Sequence, residues 1–214
     1  MMVDRAKIEA FWQRRAQIDD PELASHFKHD DAGDLDVAFV EQYLKPDTRL
    51  LDLGAGPCRM VNRLEPQVAF IRAVEKQEGF SRFCVASPKV EFVVRDVVGY
   101  RDEDTYDVIT IFGVMNYVTV EEALQVYRDC YTMLRPGGFL LVKHASGVDG
   151  DVVVDTFSET VGDWYHAIYR HVDTERQLLE QAGFTTTVVD IYPARLNPWT
   201  NTHFYAYVGR KPAE

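Results

Sequence analysis

Cysteine, positive charge and long apolar runs are all scarce in this chain of 214 residues. No run of about 18 apolar residues is present, so no transmembrane helix is expected, and without a signal-peptide pattern we expect a cytoplasmic protein. The three cysteines leave one unpaired and show no metal-ligand spacing, which favours reduced thiols and no bound metal. Lys and Arg total 23 against 34 Asp and Glu, and this acidic balance argues against nucleic acid or an anionic membrane as partner.

Short apolar runs alternate with helical or mixed segments along most of the chain. Strands are predicted at roughly 49–53, 69–74, 90–94, 106–112 and 138–143, with two more at 184–192 and 203–208. Such alternation is typical of a parallel sheet with helices on both faces. The length predicts one domain, or one domain with a lid. The fold class is therefore α/β.

The central stretch joins a buried strand, Arg49–Leu53, to a helix that starts near Met60 through a turn containing Gly54 and Gly56. Glycine lets the backbone take positive φ and lets a ligand approach closely. A strand–turn–helix corner of this kind lies at the carboxyl end of a parallel sheet, where open α/β folds bind nucleotides. An ordinary tight βα turn is the alternative.

Three departures from the dinucleotide-binding pattern restrict the ligand. Arg59 stands where the third glycine is expected, Pro57 removes an amide, and Asp52 would repel a pyrophosphate. A cationic or zwitterionic tail suits Asp52 better. Glu75 lies 75 − 56 = 19 residues past Gly56, where an acid accepts hydrogen bonds from ribose hydroxyls. Adenosine with a positive tail and no phosphates describes S-adenosyl-L-methionine.

Five segments in register carry a family resemblance. Asp52–Gly56 resembles motif I of the class I S-adenosylmethionine-dependent methyltransferases, and Val74-Glu75 is similar to their ribose-binding acid. The other three are similar to the turn that meets the adenine and to strands four and five of that family: Arg95-Asp96-Val97, 106–111 and 134–142. The resemblance implies a Rossmann-like seven-stranded sheet, mostly parallel with the last strand antiparallel. It also implies this set of cofactor-binding residues: Trp12, Arg15, Asp52, Gly54, Ala55, Gly56, Glu75, Lys76, Asp96, Val97 and Phe112.

The segment 1–45 is expected to form an N-terminal helical lid, in which residues 36–44 are predicted to be an amphipathic helix. A helix is predicted over 3–18, and Phe11–Ala16 resembles the aromatic-x-x-Arg-Ala segment of many small stand-alone methyltransferases. In those relatives this helix covers the cofactor and the arginine lies near the methionine carboxylate. A helix whose aromatics cap the core is the alternative. His26 and His29 follow in a polar loop, where solvated side chains are preferred over a metal site.

On the acceptor side, the resemblance places segment 112–118 beneath the reactive sulfonium. Asn116 and Tyr117 are therefore predicted to orient the acceptor, with a structural loop as the alternative. His144, after strand five, is predicted to be the catalytic base, although a structural histidine is also consistent with the sequence. Residues 145–170 depart from the minimal fold and are predicted to form a substrate-covering insertion.

The segment 192–204, with 169–171, resembles the carboxyl-terminal pattern of methyltransferases encoded with bacterial surface-polysaccharide genes. This favours a carbohydrate acceptor, a sugar or a nucleotide sugar methylated on oxygen or nitrogen, since amides, hydroxyls and an indole suit sugar rings. A loop that uses its asparagines to hold its own turns is the alternative. An NAD(P)-dependent reductase and a non-catalytic S-adenosylmethionine-binding protein are the rival functions. The oligomeric state stays open, a homodimer included.

Overall fold

The computed structural model describes residues 3–25, 31–159 and 161–213; His26 and His29 lie outside them. Six helices are found in these ranges: α1 Arg5–Arg15, α2 Pro21–Ala24, α3 Ala32–Glu41, α4 Arg59–Leu64, α5 Val120–Met133 and α6 Val172–Gln181. Nine strands accompany them: β1 Arg49–Leu53, β2 Phe70–Glu75, β3 Val90–Val94, β4 Tyr106–Phe112, β5 Leu134–Gly147, β6 Val152–Ser158, β7 Asp163–Tyr169, β8 Thr185–Val189 and β9 Thr202–Arg210.

Seven of the strands form one sheet in the order β3-β2-β1-β4-β5-β9-β8. Strands β1 to β5 pair in parallel, and β9 runs antiparallel to both β5 and β8. The predicted Rossmann-like sheet with an antiparallel last strand is therefore confirmed. The strand order reverses between β1 and β4, and ligands of open α/β sheets bind beside such a reversal.

Alternate side chains of the central strands enter two separate cores, which places helices on both faces. Leu51 and Leu53 of β1 pack with the buried residues of α5 and α6. Leu50, whose side chain is on the opposite face of the sheet, packs with those of α3 and α4. All three leucines are at most 1% exposed, so β1 is buried on both faces, as expected for a central parallel strand.

Several element limits differ from the sequence-based expectation. Strand β5 does not end at residue 143 but continues to Gly147. The reason is that the whole of β9, from Thr202 to Arg210, pairs with residues 139–147 of β5. The helix expected from Asp36 begins earlier, at Ala32. The strand expected over 184–192 is shorter, since only Thr185–Val189 pairs with β9.

The insertion forms a separate two-stranded antiparallel sheet from β6 and β7. Helix α1 packs against this hairpin. The rings of Phe11 and Tyr165 meet edge to face with centroids 5.7 Å apart, and Arg14 donates to the Asp163 carboxylate at 2.8 Å. The two segments predicted to cover the site thus contact each other; their role as a cover stays a prediction.

Candidate functional site

Two adjoining cavities open at the carboxyl ends of β1, β2 and β4. The larger has a volume of about 440 Å³ and the smaller about 160 Å³. Six residues line both: Trp12, Gly54, Gly56, Phe112, Gly113 and Tyr117. The cavities therefore meet at the glycine turn, and α1 reaches both of them through Trp12.

The glycine turn after β1 is built from residues with left-handed backbone. Gly54 has φ 82° and Gly56 φ 51°, and Cys58 before α4 has φ 56°. A Cβ on Gly54 would lie 2.2 Å from Val114 Cγ2, whereas a Cβ on Gly56 would meet nothing within 4 Å. Gly54 is therefore required by packing, while Gly56 faces open space in which a ligand can approach the backbone.

The replaced third glycine has a structural explanation. Arg59 opens α4, and its guanidinium turns to the N-terminal segment, where it pairs with Glu22 at 2.6 Å and donates to Ser25 Oγ at 3.2 Å. A side chain is tolerated here because it runs to a charged partner outside the core.

Glu75 ends β2 with its carboxylate fixed by backbone amides. It is 9% exposed and accepts from Gly56 N at 2.9 Å and from Gln77 N at 2.8 Å. Burial raises its pKa, while these amides act in the opposite direction. Beside it, Lys76 Nζ lies 2.7 Å from Glu9 of α1 and 3.2 Å from Asp96. The smaller cavity is thus rimmed by carboxylates, one of which comes from α1.

Asp52 lines the larger cavity and is only 3% exposed. Its Oδ1 accepts a 2.7 Å hydrogen bond from the Thr110 hydroxyl. Burial raises the pKa of Asp52 to about 7; the Thr110 hydrogen bond opposes that rise and the Glu75 carboxylate adds to it. Asp52 thus titrates near neutral pH, where a positively charged ligand would favour its ionised form.

The far end of the larger cavity carries neutral hydrogen-bonding groups. Tyr117 OH lies 3.0 Å from Tyr165 OH, to which the Tyr169 hydroxyl donates at 3.4 Å. Burial raises the pKa of all three phenols, which keeps them protonated. Asn116 is 5% exposed, and its Oδ1 has no hydrogen-bond partner among the described residues. These groups can both donate to and accept from a polar ligand.

Lys143 also lines the larger cavity, within a closed polar group. Its Nζ donates to Asp36 Oδ2 at 2.7 Å and to Tyr192 OH at 2.8 Å, and Tyr192 donates to Asp36 in turn. Its ammonium also lies 5.2 Å from the ring centroid of Phe112. The charge of Lys143 is therefore matched by a carboxylate at the wall.

His144 follows Lys143 on β5 and is 1% exposed. Its ring stacks on Tyr207 with centroids 5.4 Å apart, and Nε2 lies 3.6 Å from Glu175 Oε2. Neither ring nitrogen has a hydrogen-bond partner among the residues that the structure describes. The ring is thus an orphaned polar group at the cavity wall beside a buried carboxylate.

The structure brings together nearly all the residues predicted as a site. These line the larger cavity: Trp12, Asp52, Gly54, Ala55, Gly56, Phe112, Asn116, Tyr117 and His144. Glu75, Lys76, Asp96 and Val97 line the smaller one. Arg15 lines neither, because its guanidinium donates to backbone carbonyls, among them Ser25 O at 2.9 Å and Val161 O at 3.3 Å. The roles assigned to these residues stay predictions.

Sequence reasoning did not place Tyr165, Tyr169 or Lys143 in the site. Tyr165 and Tyr169 are four residues apart in β7 and so share a face of the strand. That period is a usable signal, but the sequence does not show that the hairpin places this face at the larger cavity. In the loop before β9, Tyr192 lines the cavity whereas Trp199 is 55% exposed.

The residues fit an adenosyl cofactor with a positively charged tail. Gly56 faces open space, Glu75 presents a fixed carboxylate beside it, and Asp52 is poised to ionise near neutral pH. S-adenosyl-L-methionine, the cofactor of the class I methyltransferases, is such a compound. Residues 50–138 match the model of a family described as methyltransferase domain.

Known proteins resemble the chain over different extents. It is 32% identical over 85 residues to N-terminal Xaa-Pro-Lys N-methyltransferase 1-B of Xenopus laevis, a match that covers 40% of this chain and 34% of that protein. The chain thus spans about a third of the length of the curated relatives it matches. DhpI in complex with SAH superposes with a TM-score of 0.70 at 14% identity, covering 96% and 95% of the two chains.

Phosphoethanolamine N-methyltransferase 1 of Haemonchus contortus, in complex with phosphoethanolamine and S-adenosylhomocysteine, superposes with a TM-score of 0.75 at 16% identity. That match covers the whole of this chain and 50% of the other. At such identities the two structural likenesses show the fold. Within the described ranges, no group of histidines, cysteines and carboxylates is arranged to hold a metal ion, and no helix combines the length and apolar character needed to cross a membrane.

Proposed function

We propose that the chain is an S-adenosylmethionine-dependent methyltransferase whose acceptor is a small hydroxyl- or amine-bearing molecule, with a sugar or nucleotide sugar as the preferred class. The observation that carries this proposal is the neutral group of Asn116, Tyr117, Tyr165 and Tyr169 at the end of the larger cavity. Amide and phenol groups exchange hydrogen bonds with hydroxyls, and aromatic faces pack against the C–H faces of sugar rings.

The charges along the larger cavity support an acceptor that is uncharged where it is methylated. Three cations line it, and each pairs with a carboxylate of the described residues: Arg59 with Glu22, Arg63 with Asp34 and Lys143 with Asp36. An acceptor that brought a negative charge into the cavity would therefore have to displace an existing ion pair, so a nucleotide sugar would have to keep its phosphates outside the cavity. A neutral polyol or amine needs no such exchange.

Glu75, Asp96, Asp52 and the Gly54–Gly56 turn would hold the cofactor, which supplies an activated methyl group when bound. The protein then contributes orientation and exclusion of water. Asn116 and Tyr117 position the acceptor, and His144 takes the proton that the acceptor loses. Trp12 of α1, which lines both cavities, closes the site from above.

Mass-spectrometric detection of added methyl groups tests the proposal directly. The purified chain with S-adenosylmethionine is offered neutral sugars, amino sugars and nucleotide sugars, with phosphoethanolamine and an Xaa-Pro-Lys peptide as comparison acceptors. Product with a carbohydrate alone is the expected result. Transfer only to one of the comparison acceptors would replace the acceptor class. Binding of NADH without binding of S-adenosylmethionine would favour a reductase, and cofactor binding with no product anywhere would favour a non-catalytic binder.

Replacing Glu75 by alanine is expected to weaken cofactor binding by ~1–3 kcal/mol, because hydrogen bonds to the ribose are lost. Titration calorimetry with S-adenosylhomocysteine measures this change. Glu91→Ala is a suitable control, since Glu91 is exposed on β3 and pairs with Arg72 away from both cavities. An unchanged dissociation constant for Glu75→Ala would reject the assignment.

The raised pKa of Asp52 predicts a pH-dependent affinity for S-adenosylmethionine. A positive ligand lowers that pKa, so binding releases a proton and affinity is fully present above about pH 7 and declines as pH falls below it. The Asp52→Asn variant should lose this dependence. Calorimetry in two buffers of different ionisation enthalpy detects the proton release. A wild-type affinity that is flat between about pH 6 and 8 would contradict the role of Asp52.

The raised pKa of Asp52 makes the stability of the ligand-free protein depend on pH in the opposite direction. Because the folded pKa of Asp52 lies above the unfolded value of 3.8, its contribution to stability is greatest at low pH and is lost as pH rises through about 7. Comparing urea unfolding of the wild type and Asp52→Asn from about pH 4 to about pH 8 isolates the contribution of the one carboxylate.

A further inference from the structure

Arg170 is only 2% exposed, and among the described residues it is the largest side chain that is buried to this degree. It directly follows β7, the strand that carries Tyr165 and Tyr169. All three kinds of guanidinium nitrogen have partners: Nε donates to Glu175 at 2.6 Å, one terminal nitrogen to Val118 O at 2.9 Å and the other to Met115 O at 2.7 Å. The guanidinium thus joins one carboxylate to two backbone carbonyls.

Those two carbonyls flank the acceptor turn, which we define as residues 115–118. The turn begins as a short 3-10 helix, Met115–Tyr117, and places Asn116 and Tyr117 at the cavity. Because Arg170 holds both ends of this four-residue turn, it fixes where the two middle side chains lie. It does so from the base of the hairpin that supplies the other tyrosines.

Glu175 anchors the guanidinium from α6. It is fully buried and also accepts from the Tyr127 hydroxyl of α5. Burial alone would raise the pKa of Glu175, but Arg170 and His144 outweigh this effect and hold the pKa well below its usual range. The pair is therefore ionised. A buried ion pair adds little to stability compared with apolar packing, so its presence here fits a positional requirement.

We propose that Arg170 is a positioning residue that sets the acceptor turn against the hairpin tyrosines, so that Asn116 and Tyr117 orient the acceptor for methyl transfer. The inference rests on the proposed function of the same cavity. Lysine keeps the charge but cannot replace the planar fork that reaches Glu175 and two carbonyls at once. A shift of the turn by about 1 Å is enough to lower the rate by ~10²-fold.

Two variants separate positioning from stability. Arg170→Lys should lower kcat by ~10–100-fold with affinity for S-adenosylhomocysteine within about twofold, because the carbonyl contacts are lost. Met133→Ala removes a buried core side chain at the C-terminal end of α5 and leaves every contact of Arg170 in place. It should lower the melting temperature at least as much as Arg170→Lys, yet keep kcat within about threefold of the wild type. Arg176→Lys, on the exposed side of α6, is the matched control.

A second measurement does not depend on the acceptor. In protein labelled with 3-fluorotyrosine, the Tyr117 resonance (assigned with Tyr117→Phe) should shift or broaden in Arg170→Lys and stay in place in Arg176→Lys. If the wild type methylates no acceptor, the proposed function fails and this resonance alone decides the positioning role. An unmoved resonance, or a loss of kcat that follows the loss of melting temperature equally in Arg170→Lys and Met133→Ala, would overturn the inference.

Discussion

Replacing His144 by alanine is expected to lower turnover by ~10²–10⁴-fold while affinity for S-adenosylhomocysteine stays within about twofold. The imidazole is an orphaned polar group on the cavity wall, since neither ring nitrogen has a hydrogen-bond partner among the described residues. An acceptor hydroxyl loses its proton as it is methylated, an ammonium must lose one before its nitrogen can attack, and an imidazole at the wall can take either proton. Initial rates with the acceptor found by mass spectrometry, together with calorimetry, measure the two quantities.

The position of Glu175 strengthens this expectation. Its ionised carboxylate lies 3.6 Å from His144 Nε2, so the imidazolium that forms on proton transfer gains a negative neighbour. His203→Ala serves as the control, because His203 lies in β9 and contacts Asp190 at 2.9 Å outside the cavity lining. Near-normal turnover in His144→Ala would remove it as the base and leave it as a stacking partner of Tyr207.

The fold could be predicted largely because its signals are local. The apolar periodicity of single segments predicts β1 and the later strands. Their alternation with helical segments predicts that these strands run parallel. The end of β5 could not be predicted in this way. Its extension to Gly147 depends on pairing with Thr202, which lies 55 residues away in sequence, 202 − 147. Propensity carries no information about such a partner.

The carboxylates and the tyrosines of the candidate site differ in whether local sequence signals place them. Asp52, Glu75 and Asp96 lie within two residues of the ends of their own strands, so chain order alone places them at one edge of the sheet. Tyr165 and Tyr169 line the cavity only because the inserted hairpin packs beside it. Nothing in their own segment specifies that packing, which depends on α1 and on the anchor at its base.

Arg15 shows the limit of a resemblance between segments. The aromatic-x-x-Arg-Ala pattern predicts an arginine near the cofactor, and α1 does contribute Trp12 to the lining of both cavities. The guanidinium, however, is buried against the backbone of residues 23–25 and Val161. A helix period places a side chain on a face, but competing carbonyls close to that face decide which atoms the side chain contacts.

The two glycines of the turn are expected to fail differently when each is replaced by alanine. In Gly54→Ala the new Cβ would meet Val114 Cγ2 at 2.2 Å, and the alanine would have to adopt the φ of 82° that Gly54 has. Left-handed strain and overpacking together should cost ~2–5 kcal/mol of folding free energy. For a chain of this size the melting temperature should fall by on the order of 10 °C. Thermal unfolding followed by circular dichroism measures this loss.

Gly56→Ala is the matched variant, since its Cβ would meet nothing within 4 Å and only the left-handed strain of ~1–2 kcal/mol remains. That Cβ would enter the space beside the Glu75 carboxylate. The free energy of cofactor binding should therefore be reduced more by Gly56→Ala than the free energy of unfolding is. Because Gly56 N donates to Glu75, a bulkier neighbour also disturbs the carboxylate that we propose binds ribose. Wild-type affinity for S-adenosylhomocysteine in Gly56→Ala would show that the open face of this turn is not where the cofactor lies.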